Sequence, residues 1–122
     1  MKKCILCLSL LIVFAIPSVL YGQSSKEYIA NVNGETVKIN YDVDLYPNPA
    51  TEFVNIKSKG DEFLEIGFEM YSLIGNKLPV QVEKVDKENY KIPVKEFSSG
   101  YYLLIIKDKR TRYRRAFKFQ KL

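Results

Sequence analysis

Apolar residues in this chain alternate; they do not recur with helical spacing. From Leu64 onward Ile66, Phe68 and Met70 face one way, while Glu65, Gly67 and Glu69 face the other. That period of two belongs to a strand with one buried face. No stretch of three helical turns sustains apolar residues three and four apart, so the pattern restricts the chain to an all-β fold.

The punctuation agrees. Tyr28 to Val32 and Thr36 to Ile39 flank Asn33-Gly34, a pair that tolerates positive φ and predicts a hairpin. Pro47 and Pro49 remove two backbone donors within three residues and push Tyr46 and Asn48 into extended geometry. They predict a rigid crossing at a sheet edge, not a central strand. Phe53 to Ile56 resumes a strand, Lys59-Gly60-Asp61 turns it, and Gly75-Asn76 turns the next into a return over Leu78 to Val82. Asp86 to Asn89 reads as a polar loop. Tyr101 to Ile106 is apolar throughout and is expected to be central and buried on both faces. Asp108-Lys109-Arg110 then turns the chain into Tyr113 to Phe119. Short strands at this spacing predict an antiparallel β-sandwich of about seven strands.

The N-terminus sets the compartment. Lys2 and Lys3 precede an apolar run from Ile5 to Ile16 that ends at Pro17. The run is shorter than the roughly 18 residues a membrane span needs and matches the core of a signal peptide over residues 1–22, with cleavage after Gly22 or Ser24. The protein is thus expected to be exported, with a short segment or hairpin over 23–44 and the sandwich over 45–122. Both cysteines, Cys4 and Cys7, fall inside the signal. The mature chain would hold no disulfide and no transmembrane segment, so its core must stabilise it.

Missing residue types remove most catalytic chemistry. The sequence has no histidine, and its two cysteines leave with the signal. Ser-His and Cys-His pairs and zinc sites built on imidazole or thiolate are therefore excluded. Asp42 and Asp44 offer too few oxygens for calcium and read as a solvated linker. Glu65 and Glu69 stand about 13 Å apart along a strand, beyond the roughly 5–9.5 Å of paired glycosidase carboxylates, and read as solvated outer-face groups. No enzyme activity and no cofactor are expected.

Three segments then occur in order: Leu45-Tyr46-Pro47-Asn48-Pro49-Ala50-Thr51, Met70-Tyr71-Ser72-Leu73-Ile74-Gly75, and Ser99-Gly100-Tyr101-Tyr102-Leu103-Leu104. Together they resemble the type A C-terminal sorting domain of type IX secretion cargo. The resemblance implies an immunoglobulin-like sandwich recognised by the outer-membrane translocon. It also implies a sortase-like peptidase that removes the domain and attaches cargo to surface lipopolysaccharide. The family's characteristic residues fall on Pro47, Asn48, Pro49, Ala50, Thr51, Gly75, Gly100 and Tyr102, with Lys121 as the near-terminal lysine. Only about twenty residues separate signal from domain here. A free-standing exported immunoglobulin-like interaction module is therefore the alternative.

Charge is unevenly spread. Lys107 to Leu122 holds eight basic residues and one acid, whereas Gln23 to Ile106 holds nine basic and thirteen acidic. Strand alternation would put Arg112, Arg114 and Lys118 on one face and Tyr113, Phe117 and Phe119 on the other. Single-strand nucleic-acid binding needs cations and aromatic platforms together, so nucleic acid is not an expected partner. Two readings stay open for the basic face: a solvated surface, or a surface read by the secretion machinery or by anionic lipopolysaccharide.

Overall fold

A computed structural model describes residues 28–122. The predicted signal peptide, both cysteines and the two cleavage positions lie outside the described residues. Ten strands follow in order: β1 (Tyr28–Val32), β2 (Glu35–Ile39), β3 (Tyr41–Tyr46), β4 (Phe53–Gly60), β5 (Ile66–Ser72), β6 (Lys77–Leu78), β7 (Glu83–Lys84), β8 (Asn89–Pro93), β9 (Gly100–Asp108) and β10 (Arg114–Lys121). No helix interrupts them among the described residues, and none there is long and apolar enough to cross a membrane.

The strands form two four-stranded sheets, β3-β4-β8-β7 and β10-β9-β5-β6, plus the β1-β2 hairpin. Every ladder is antiparallel. One apolar cluster joins the sheets into a sandwich: Val54, Ile56 and Ile92 from one, Met70, Leu104 and Ile106 from the other, each with no exposed surface. Each such aliphatic side chain stabilises the fold by about 1.5–3 kcal/mol before conformational entropy is subtracted. Phe68 and Tyr90 meet across the layers with ring centroids 5.2 Å apart. The β1-β2 hairpin turns at Asn33 (φ 53°) and Gly34 (φ 86°), and it adds Ala30 and Ile39 to the same core. The strand that carries Leu45 already begins at Tyr41.

One end of the core is aromatic. Tyr41 stacks on Phe63 at 4.2 Å, and Tyr113 meets Tyr28 and Tyr41 edge-on at 4.9 Å each. Beside these rings Asp108 is almost fully buried. Its carboxylate accepts hydrogen bonds from the Tyr41 hydroxyl (2.7 Å) and from the backbone amides of Leu64 (2.7 Å), Glu65 (3.3 Å) and Arg110 (2.9 Å). Four donors from three segments offset the cost of burying that charge. Burial, and then the hydrogen bond to Asp108, raises the Tyr41 phenol above its ordinary range. The Tyr113 hydroxyl is buried without a partner of normal hydrogen-bond geometry. Burial pushes it up to about 12, against the opposing pull of the nearby Arg115 guanidinium.

Several expectations are corrected. β9 is a central strand, but only Tyr102, Leu104, Ile106 and Asp108 are buried; Leu103 and Ile105 are half-buried and Tyr101 is exposed on the other face. Among the described residues no second layer covers that side of the sheet. The return after Gly75 pairs only through Lys77 and Leu78, because Pro79 has no amide to continue the ladder. Asp42 and Asp44 are exposed but belong to β3, not to a linker. Asp44 pairs with Lys59 and raises its ammonium pKa. Glu65 is exposed, 3.3 Å from Lys109, whereas Glu69 is no isolated solvated group. Its carboxylate lies among Lys107 (2.8 Å), Lys77 (3.4 Å) and Arg114 (3.4 Å). The Lys107 hydrogen bond leads in holding it down to about 2.

Candidate functional site

β3 ends at Tyr46, on the edge of the first sheet. Pro47 cannot extend the ladder, and the chain swings across to the last strand of the second sheet. The Tyr46–Pro47 and Asn48–Pro49 bonds are both cis. Asn48 then reads the edge of β10 with its side-chain amide. Its Oδ1 accepts the Gln120 amide at 3.0 Å, and its Nδ2 donates to the Lys118 carbonyl at 3.5 Å. Ala50, fully buried, continues with backbone bonds: its amide donates to the Gln120 carbonyl (2.8 Å), and its carbonyl accepts the Leu122 amide (2.9 Å). This parallel bridge to Lys121 is the seam that closes the sandwich. Thr51 sits just past it, exposed.

The other motif residues gather at the same end of the second sheet. Register places Lys121 opposite Gly100, and Tyr102 opposite Ser72, so the Gly75 turn projects there too. Gly100 (φ 150°) and Gly75 (φ 92°) have open space where a Cβ would stand; what they supply is backbone conformation. Tyr102 is a core residue that donates to the Ser98 carbonyl at 2.6 Å and packs between Phe97 and Phe119. Lys121 is buried, with its ammonium donating to the Leu122 carbonyl.

Over the seam lies an open groove of about 310 Å³, lined by Asn48, Pro49, Tyr101, Lys118, Phe119 and Gln120. The Lys118 ammonium stands 4.4 Å above the Tyr101 ring. The groove thus offers a cation, an aromatic face and an amide side chain to a ligand. Sequence reasoning named Asn48, Pro49 and Lys118 separately but missed their convergence. Sequence reasoning also missed the exposed Leu73 and Ile74 on the Gly75 turn; apolar residues at a turn tip were the available signal.

The predicted basic face is not one stripe. Arg112 lies in the turn before β10 with φ 60°, so strand alternation does not reach it. Tyr113 also precedes the strand and is buried in the aromatic end. Arg114 and Lys118 do share the outer face, but Arg114 pairs with Glu69 and Lys118 covers Tyr101. No group of acidic residues that could hold a metal occurs among the described residues.

Comparison with protein families matches residues 44–118 to the secretion system C-terminal sorting domain. The chain belongs to this family. A sorting domain of the type IX system carries information for export toward the cell surface or extracellular space and implies interaction with that secretion machinery. The sorting-domain family is not an enzyme family. The match spans β4 to β9, most of β10 and the end of β3, so both sheets belong to the sorting domain. β1 and β2 precede it. Comparison with curated proteins and with solved structures returns no match.

Proposed function

We propose that the chain carries an exported sorting domain, recognised by the outer-membrane translocon through the end of the sandwich that bears the seam. The family match over both sheets carries this reading, and the gathering of Pro47, Asn48, Pro49, Ala50, Gly75, Gly100, Tyr102 and Lys121 at that end supports it. Passage runs through the periplasm after signal removal. A sortase-like peptidase and surface lipopolysaccharide are the further partners, with Lys118 and the turn residue Arg112 supplying exposed positive charge. The chain of its native host should appear on the surface or in the medium, protease-accessible in intact cells. Mass spectrometry of its mature ends then reads each cut. Accumulation in the periplasm of cells with a working translocon contradicts the proposal.

One observation favours a second reading. The β1-β2 hairpin packs into the domain core through Ala30 and Ile39, and Tyr28 touches Tyr113. Residues 28–43, which precede the matched region, are part of the folded body, as expected if the sandwich is itself the product: a surface interaction module. Persistence of residues 28–43 on the mature surface form supports that role, and their removal supports a pure signal.

A further inference from the structure

Among the described residues β10 pairs with a full strand, β9, on one side only, and on its other side it meets just the short crossing through Asn48 and Ala50. In β10 the backbone groups of Gln120 point away from β9 toward Ala50. By alternation those of Arg114, Ala116 and Lys118 point the same way. Asn48 and Ala50 cover this edge from Lys118's carbonyl to Leu122. Beyond that point the amides of Lys118, Ala116 and Arg114 and the carbonyls of Ala116 and Arg114 have no hydrogen-bond partner among the described residues. The molecule has thus begun a strand addition with its own residues and left the template open for two more outward-facing positions.

We infer that the open edge of β10 takes an added strand from an acidic partner segment, aligned with the bridge that Ala50 already makes. This rests on the sorting-domain reading for its biological setting, although the edge itself is independent of that reading. Side chains choose the partner. The edge presents Arg115 and Lys118, beside Arg114 in its pair with Glu69, around Ala116, which is small, and Phe117, which is half-exposed beneath the Arg115 guanidinium at 5.0 Å. An edge guarded only against aggregation would carry charge at its centre; this one is apolar at the centre and cationic at its flanks. A second copy laid on the same edge would set cation against cation, so self-pairing is disfavoured. An extended strand with alternating acidic and apolar residues gains both the backbone ladder and the charge pairing.

The test uses the exported chain after signal removal and two synthetic nonapeptides, one alternating Glu and Val and one alternating Lys and Val. The Glu-Val peptide should slow exchange of the Arg114, Ala116 and Lys118 amides at least tenfold, more so at low salt; the Lys-Val peptide should not. Ala116→Pro removes an outward donor without breaking the ladder to β9, and should weaken Glu-Val binding at least tenfold at an unchanged thermal midpoint. Should that variant unfold, the exchange pattern of the unaltered chain decides. Protection confined to other edges, equal binding of both peptides, or no binding overturns the inference. Peptide binding by a chain that is never exported would instead remove the sorting reading and leave the edge standing.

Discussion

Asn48 Oδ1 accepts the Gln120 amide at 3.0 Å across seventy-two residues of sequence. That bond ties the crossing between β3 and β4 to the strand that ends the chain. It explains why an asparagine stands between two prolines: the prolines hold the bend, and the amide between them supplies the hydrogen bonds that a bent backbone cannot. Asn48→Ala should lower stability by about 0.5–1.5 kcal/mol, the net worth of such bonds at an exposed site. Exchange of the Gln120 amide should speed up at the same time. A Gln120 amide that exchanges as before would show that Ala50 alone holds the seam.

Tyr102 separates burial from hydrogen bonding. Its ring is sealed by Phe97 and Phe119, and its hydroxyl donates to Ser98. Tyr102→Ala should cost about 3–5 kcal/mol, as for other buried aromatics, whereas Tyr102→Phe should cost only about 0.5–1.5 kcal/mol. Urea unfolding of both variants checks this. An unchanged midpoint for the alanine variant would turn Tyr102 from a packing residue into a contact for a partner.

Much of this was legible from residue order. Asn33-Gly34, the alternation from Ile66 to Met70 and the prolines at 47 and 49 are local signals that formed a turn, a strand and a crossing where expected, although Leu64 is exposed and precedes the strand. Long-range partner choice was not legible. Asp108 looked like a turn residue because nothing nearby in sequence shows that Tyr41, Leu64 and Glu65 converge on it. Glu69 looked solvated because Lys77, Lys107 and Arg114 reach it from three other segments. Tyr101 to Ile106 looked doubly buried because apolar content cannot tell a central strand in a two-layer sandwich from one in three layers. In the site, Asn48 and Lys118 were readable, but their shared groove depends on how β10 lies against the crossing.

Alkaline pH should destabilise the domain through its buried phenols. Burial raises Tyr41 and Tyr113, the latter to about 12. The folded state therefore holds these protons more tightly than the unfolded chain, whose phenols titrate near pH 10. Their contribution is complete below about pH 10 and is lost as the pH rises through the folded values. The urea midpoint should fall between pH 9 and 12, and Tyr113→Phe should reduce that fall. An equal fall in the variant would assign the loss to Tyr41 or to the lysines rather than to Tyr113. Glu69 works in the opposite direction. Held down to about 2 by Lys107 and its neighbours, it contributes above its unfolded value of about 4.3 and loses that contribution as the pH drops toward the folded one.

The basic residues can be tested apart from the fold. Arg112, Arg114 and Lys118 are exposed, and outer-face charges rarely contribute more than about 0.5 kcal/mol each. Changing all three to Gln should leave a folded domain with a midpoint close to that of the parent. If export of this variant drops severalfold, the positive charge is read by the machinery. Export at the parental level would leave it a solvated surface, with recognition resting on the seam.

The central claim is that this sandwich carries a sorting signal. A fusion of residues 28–122 behind a fluorescent protein with its own export signal, made in a host with a working type IX system, tests it most directly. Residues 28–40 are included because their hairpin shares the core. Fluorescence should appear on the cell surface or in the medium, and it should remain periplasmic when the translocon is deleted. Fluorescence retained in the periplasm of the intact host, with the fused domain folded, would contradict the account.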